Sequence, residues 1–418
     1  MTMKALVGAT LIDGTGGPPL SDSAVLLDGD RIQAVGPRGA VEIPPQAEEI
    51  DLSGLTLLPG LIDTHDHLAD KNYSLLSRWE IEEPASLAHL KTAKAIEDSL
   101  AAGYTTIRDA GGLDAGFKQA IAEGLLNGPR LLTAVSIISP TGGIGDRVAP
   151  SGHRTSYATD PMRPVGVANG PEAVRSMVRE MVRVGADVIK FATTGGASSR
   201  QGHGPMDMAF GPDEVKALVD EAAAQGKLTM CHALGGPGLR MCVEAGVGSV
   251  EHGCYLADDP DLLKMMADNN TFFTPTWEVY EFHSTISAPH VKARAEALFH
   301  THQESLHRAM EAGAKITAGT DAGGFVHGDN AREIELMVER GLTPMQAIQT
   351  ATGWAAECIG LAKEIGTIEK GKQADLLAVA GDPLKSVSVL RDKDAIKLVM
   401  KGGVAYTDKL PAAVLVAV

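Results

Sequence analysis

Between residues 59 and 361 the chain alternates short, almost continuously apolar runs with stretches rich in Ala, Glu and Arg, and this alternation limits the fold more than any other feature. The apolar runs are Leu61 to Leu68, Thr105 to Ala110, Arg130 to Ile138, Asp187 to Thr194, Lys227 to Leu234, Ser249 to Cys254, Thr271 to Trp277 and Lys315 to Ala322. Helical stretches between them include Pro171 to Val184, Gly211 to Gln225 and Ala293 to Ala312. Thr343 before Pro344 predicts an N-cap that opens a further helix through Thr352 and onward. Strands without polar alternation are buried on both faces, as in parallel sheets covered by helices. Eight of them predict an α/β fold, a (β/α)8 TIM-type barrel; an open doubly wound sheet is the competing arrangement.

The two ends read differently. Ala24-Val25-Leu26-Leu27, Asp28-Gly29-Asp30 and Arg31-Ile32-Gln33-Ala34-Val35 form a strong hairpin signal. The same texture returns in Ala374 to Val379, Ile396 to Met400 and, after the turn Lys401-Gly402-Gly403, Val404 to Tyr406. Chain termini often lie close together, so residues 1–58 plus 362–418 are expected to form one small β-sandwich domain beside a barrel of residues 59–361. A length of 418 residues suits one large domain and a smaller one, and 44% apolar with 22% charged residues suits a packed enzyme.

Charge excludes a class of partner. The balance of 37 basic and 53 acidic residues gives −16 with no compensating basic cluster, so nucleic acid would be repelled. No apolar stretch is long enough to span a bilayer, and no membrane partner is expected. Cys231, Cys242, Cys254 and Cys358 show no CxxC spacing and read as reduced, core-packed thiols of a cytoplasmic protein. The sequons at Asn72 and Asn269 are then coincidental. A homo-oligomer is expected.

Chemistry collects at strand ends. In Asp63-Thr64-His65-Asp66-His67 the two histidines are two residues apart, so on a strand they share a face and both offer imidazole nitrogen to one metal ion. Lys190, His232, His252 and Asp321 fall near the ends of the fourth, fifth, sixth and eighth runs, at the rim where barrel active sites form. Lys190 says most, because an ammonium inside an apolar strand needs a partner or a change of charge. Carboxylated by CO2, it becomes an anionic carbamate able to bridge two divalent ions about 3.5–4 Å apart. His232 and His252 would serve the second ion. Asp321 would bind the ion nearer His65 and His67, take a proton from the bridging water so that hydroxide attacks a carbonyl carbon, and later protonate the leaving nitrogen. Zinc is the preferred ion, although imidazole and carboxylate also accept manganese or cobalt.

With these residues in place the chain resembles the amidohydrolase superfamily, whose HxH, carboxylated Lys, His, His, Asp pattern is matched by His65, His67, Lys190, His232, His252 and Asp321. The resemblance covers nearly the whole chain. Leu58-Pro59-Gly60-Leu61-Ile62-Asp63, Gly319-Thr320-Asp321-Ala322-Gly323 and His327-Gly328-Asp329-Asn330 look like the branch related to imidazolonepropionase. That branch includes metal-dependent dipeptidases acting on Xaa-Pro, Xaa-Arg or Xaa-Lys and ochratoxinase-like amidases. It implies a small-molecule substrate, either an N-acyl amino acid or a dipeptide, cleaved at its amide. The alternatives are a cyclic-amide hydrolase of imidazolonepropionase type, a carbamate or urea-type hydrolase, and a barrel that has lost its chemistry.

Substrate contacts are sought on the rim loops. Dipeptidases of the branch carry a histidine after the paired glycines that follow the third strand, whereas Thr141-Gly142-Gly143 is followed here by Ile144. His153-Arg154 offers either a substitute donor pair or an ordinary solvated pair, and His203 and His327 either touch substrate or cap structure. Tyr73, Trp79, Trp277 and Tyr280 could line a pocket or pack the core. The run Gly366 to Lys372 has a P-loop shape, but Gln373 replaces the required Ser or Thr and the reading is rejected.

Overall fold

A two-residue turn at Gly29-Asp30 joins the strands Leu20–Asp28 and Arg31–Pro37, with Asp28 opposite Arg31 and Gly29 at φ 60°. The structure, a computed structural model, describes residues 3–70, 82–146, 148, 161–199, 203–325 and 327–411. The hairpin belongs to an eight-stranded sheet that runs Val404–Asp408, Ile396–Lys401, Leu376–Ala380, Leu55–Pro59, Met3–Leu11, Leu20–Asp28, Arg31–Pro37, with Glu48–Asp51 paired to Met3–Leu11 off that path. The chain ends meet where Leu376–Ala380 pairs antiparallel with Leu55–Pro59, Leu377 opposite Leu58. Alternation decides which core each residue joins. Leu57, Leu376, Ala378, Leu398 and Met400 pack with Leu6 and Val25, whereas Leu58, Leu377, Val379 and Val399 join the larger core of the central region.

That central region holds two parallel sheets. Leu61–Asp66, Tyr104–Asp109 and Arg130–Thr133 form one; Ile137–Ile138, Val188–Ala192, Leu228–Ala233, Ser249–His252 and Phe272–Thr274 form the other. The expected third strand is therefore split. Val135, a β-branched residue at φ 65°, breaks it, so its first half pairs with one sheet and its second half with the other. The expected eighth strand makes only single bridges, Ile316 to Phe273 and Ala322 to Asp66. Its backbone still reaches both sheets, with Thr317 N donating to Phe273 O at 2.9 Å and Asp321 N to His65 O at 2.7 Å.

Gly319 makes that approach possible. A Cβ there would stand 2.5 Å from Thr274 Cγ2, 2.7 Å from His65 Cβ and 2.9 Å from His65 N. Gly319→Ala is expected to destabilise the fold by about 1–3 kcal/mol, the usual cost of overpacking. A urea-unfolding midpoint equal to wild type would show that the segment yields without cost.

The helices cover the parallel sheets. Proline opens Pro171–Arg183, Pro212–Ala224 and Pro289–Ala312, the last beginning four residues before the expected start. Thr343 caps Pro344–Thr350 through Gln346 N, as expected, but the helix stops at Ala351 and a second, Gly353–Cys358, follows Thr352 at φ −135°. All four cysteines are buried free thiols. Among the described residues no helix is long and apolar enough to cross a membrane.

Candidate metal centre

His65 and His67 leave the end of Leu61–Asp66 toward one point: His65 Nε2 lies 3.5 Å and His67 Nε2 3.2 Å from Asp321 Oδ1. Lys190 Nζ is 3.4 Å from His65 Nε2. The His252 ring centre lies 5.2 Å from that of His65, and the His232 ring 4.4 Å from that of His252. All six face one cavity of about 920 Å³.

The other ring nitrogens are already used. His65 Nδ1 is 2.7 Å from Glu251 Oε2, and His67 Nδ1 donates to Gly111 O at 2.7 Å. Thr276 Oγ1 donates to Pro275 O and so accepts from His252 Nδ1 at 2.8 Å. These partners place the protons on Nδ1 and turn the Nε2 lone pairs inward, the way a protein presents imidazole to a metal. His232 Nε2 is buried without a hydrogen-bond partner among the described residues. The Nε2 atoms of His65 and His67 with the Asp321 carboxylate form a group with ligand atoms within 4.8 Å of one another. An orphaned imidazole nitrogen and a converging His-His-Asp set fit divalent cations.

Electrostatics point the same way. Burial drives the Lys190 amine below its ordinary pKa, against the pull of Glu251 and Asp321. Burial and the Lys190 charge push His232 down to about 3, and burial with His232 holds His252 well below its usual value, so both rings are neutral, the form in which imidazole can bind a metal. Burial opposes charge on Asp321, yet His65 and His67 hold its carboxyl well below the usual range. Burial would also lower His67, but Asp321 lifts it to about 9. The carboxylate thus draws a proton onto His67 at a place where a bound cation would supply the charge.

The rim residues separate. His203 and Ile144 line the cavity. His327 does not: it is buried, with Nε2 2.9 Å from Asp66 Oδ1. His153, Arg154, Tyr73 and Trp79 lie outside the described residues. Tyr280 lines the cavity, whereas Trp277 packs in the core, stacked on His302 at 3.8 Å.

A family model described as the amidohydrolase family matches residues 56–405. The chain belongs to the amidohydrolase family. It is 32% identical to the ochratoxinase of Aspergillus niger over 95% of this chain and 85% of that protein. It is 27% identical to the imidazolonepropionase of Salinispora tropica, over 85% of each. A prolidase solved with N-methylphosphonate-L-proline superposes with a TM-score of 0.89 at 31% identity, over 97% of this chain and 100% of that one. The chain is accordingly a hydrolase acting on amide or peptide bonds, in a family that generally uses a divalent metal.

Two buried networks hold the site of this amidohydrolase in place. Glu251 binds His65 through one oxygen and, through the other, accepts from Ser249 Oγ and from Arg108 Nη2 at 3.2 Å, while Arg108 Nε donates to Thr64 O at 2.6 Å. Burial raises the Glu251 pKa, but Arg108 and His65 win and bring it to about 2, so the carboxylate stays charged. Asp63 accepts from His65 N at 2.9 Å, Thr320 Oγ1 at 2.8 Å and Asn330 Nδ2 at 2.8 Å, which ties the first strand to the segment carrying Asp321. His252, Thr276 and Asp321 all have positive φ, at 75°, 55° and 53°. His252 and Asp321 line the cavity and Thr276 bonds His252, so three non-glycine residues in the left-handed region sit at or beside it.

Proposed function

We propose that this amidohydrolase binds two divalent ions, zinc by preference, and cleaves the amide of a small N-acyl amino acid or dipeptide. His65, His67 and Asp321 would hold one ion, His232 and His252 the other, and a carboxylated Lys190 both. The two parallel sheets and the segment 315–322 are read as the staves of one (β/α)8 barrel, residues 59–361, and the eight-stranded sheet as the β-sandwich of the two ends.

One observation carries the reading. Lys190 is 1% exposed, sits inside an apolar strand, has no ion pair with a carboxylate among the described residues and places Nζ 3.4 Å from His65 Nε2. A carbamate would supply an anion where the chain otherwise buries a lone amine. When bound, the ions would polarise the scissile carbonyl and acidify water. Asp321, held ionised, accepts the proton of the attacking water as the C–O bond forms and delivers it to nitrogen as the C–N bond breaks. Glu251 and Thr276 keep the imidazoles turned inward throughout.

Purified protein is expected to carry two divalent ions per chain by elemental analysis. A screen of N-acyl amino acids and dipeptides varied at the C-terminal residue, N-acyl-phenylalanines included, should show amine release that chelation abolishes and zinc restores. Full activity with one ion or none, or activity confined to cyclic amides, would overturn the proposal.

A further inference from the structure

Arg294, on the helix Pro289–Ala312, lines the same cavity as the candidate ligands. Its Nη1 donates to Ser199 O at 2.7 Å and to Ala197 O at 3.5 Å, carbonyls of a loop that also lines the cavity. The guanidinium is thus fixed against the wall, and Nη1 is its only nitrogen with a hydrogen bond among the described residues. Several other arginines of this acidic chain are matched by acids, Arg130, Arg179, Arg240, Arg332 and Arg391 each having a carboxylate at 2.5–2.8 Å, while Arg340 lies over the Trp277 and Phe299 rings. Among the described residues Arg294 has no such carboxylate. A planar, permanently charged fork anchored on one edge and left without an acid inside a binding cavity is suited to a carboxylate from the ligand.

We propose that Arg294 is a specificity-determining residue that receives the free carboxylate of the substrate's amine half. This rests on the reading of the cavity as an amide-cleaving site, and it supplies the contact that selects an N-acyl amino acid or dipeptide with a free C-terminus over its capped amide. Such substrates would enter with the scissile carbonyl at the metal ligands and the carboxylate on the Arg294 side. The cavity supports that polarity. The carboxylates lining it are Asp70, Asp146 and Asp321; Asp146 accepts from Gly142 N at 2.8 Å, and Asp321 faces His65 and His67.

The test separates binding from turnover. N-benzyl-L-phenylalanine and its C-terminal amide carry no amide on the acyl side, and calorimetric titration into the metal-loaded enzyme should show the free acid binding roughly 10- to 100-fold more tightly, the worth of a charge-assisted pair. Arg294→Gln should bring that ratio close to one, and Arg294→Lys should retain part of it. The capped analogue is the internal control, because a variant that merely disturbs the 197–199 loop weakens both ligands alike. Kinetically, acetate release from N-acetyl-L-phenylalanine should lose kcat/KM mainly through KM in Arg294→Gln, with a several-fold smaller loss for N-acetyl-L-phenylalaninamide. Equal affinities for acid and amide in wild type, no binding of either, or a preference unchanged in Arg294→Gln would each overturn the proposal. An Arg294-dependent preference with no amine release from any N-acyl amino acid or dipeptide of the screen would instead overturn the reading of this cavity as the site of cleavage and leave the carboxylate site standing.

Discussion

Asp321→Asn should retain its metal and lose turnover by roughly 100- to 10,000-fold, the range supplied by a positioned general acid–base group. The amide keeps an oxygen where Asp321 Oδ1 now faces His65 and His67 at 3.5 and 3.2 Å, so the ligand geometry survives. It cannot take a proton from water. The wild-type carboxylate is ready for that task because His65 and His67 hold it ionised despite its burial. Backbone effects should be small, since asparagine is among the residues that tolerate the left-handed region in which Asp321 sits at φ 53°. Steady-state kcat measured beside metal content decides the matter. Near-normal kcat with two ions bound would remove the proton-transfer role, whereas loss of metal in parallel with activity would reduce Asp321 to a ligand.

Most of the candidate site could be read from the chain because its members are polar residues at the ends of apolar strands, where α/β folds gather their sites. His65, His67, Lys190, His232, His252 and Asp321 do gather on one cavity. Glu251 and Arg108 escaped notice although the argument used for Lys190 applies equally to them. Each is a charged residue inside a strand, at 0% and 1% exposure, and neither is tolerable there without the other. Of the two readings of His327, substrate contact or structural cap, the fold favours the second: its ring and Asn330 both bond Asp66 rather than facing the cavity. The strand breaks were illegible for a different reason. Val135 and the segment near Gly319 keep apolar composition and strand-like length, while their geometry is set by neighbours distant in sequence, His65 and Thr274 among them.

Lys190→Met tests the second ion. Methionine nearly matches lysine in length and fills the same buried space, so the variant should fold, which circular dichroism checks. If Lys190 carries a carbamate, the variant loses the anionic group shared by the two ions, and metal content should fall below two per chain. Turnover should fall by roughly 1,000-fold, the scale for removing one preorganised group from a water-excluded site. A short carboxylic acid such as formate or propionate, added with zinc to the smaller Lys190→Ala, would place a carboxylate in the vacated space and restore part of both. Wild-type protein exchanged into 13C-bicarbonate should show a lysine carbamate carbon by NMR that is absent from Lys190→Met. A plain amine at this position predicts otherwise. Lys190 would then add only a charge near Glu251 and Asp321, metal content would not depend on it, and no acid would rescue activity. Lys190→Met with two ions and wild-type turnover would exclude the bridging role altogether.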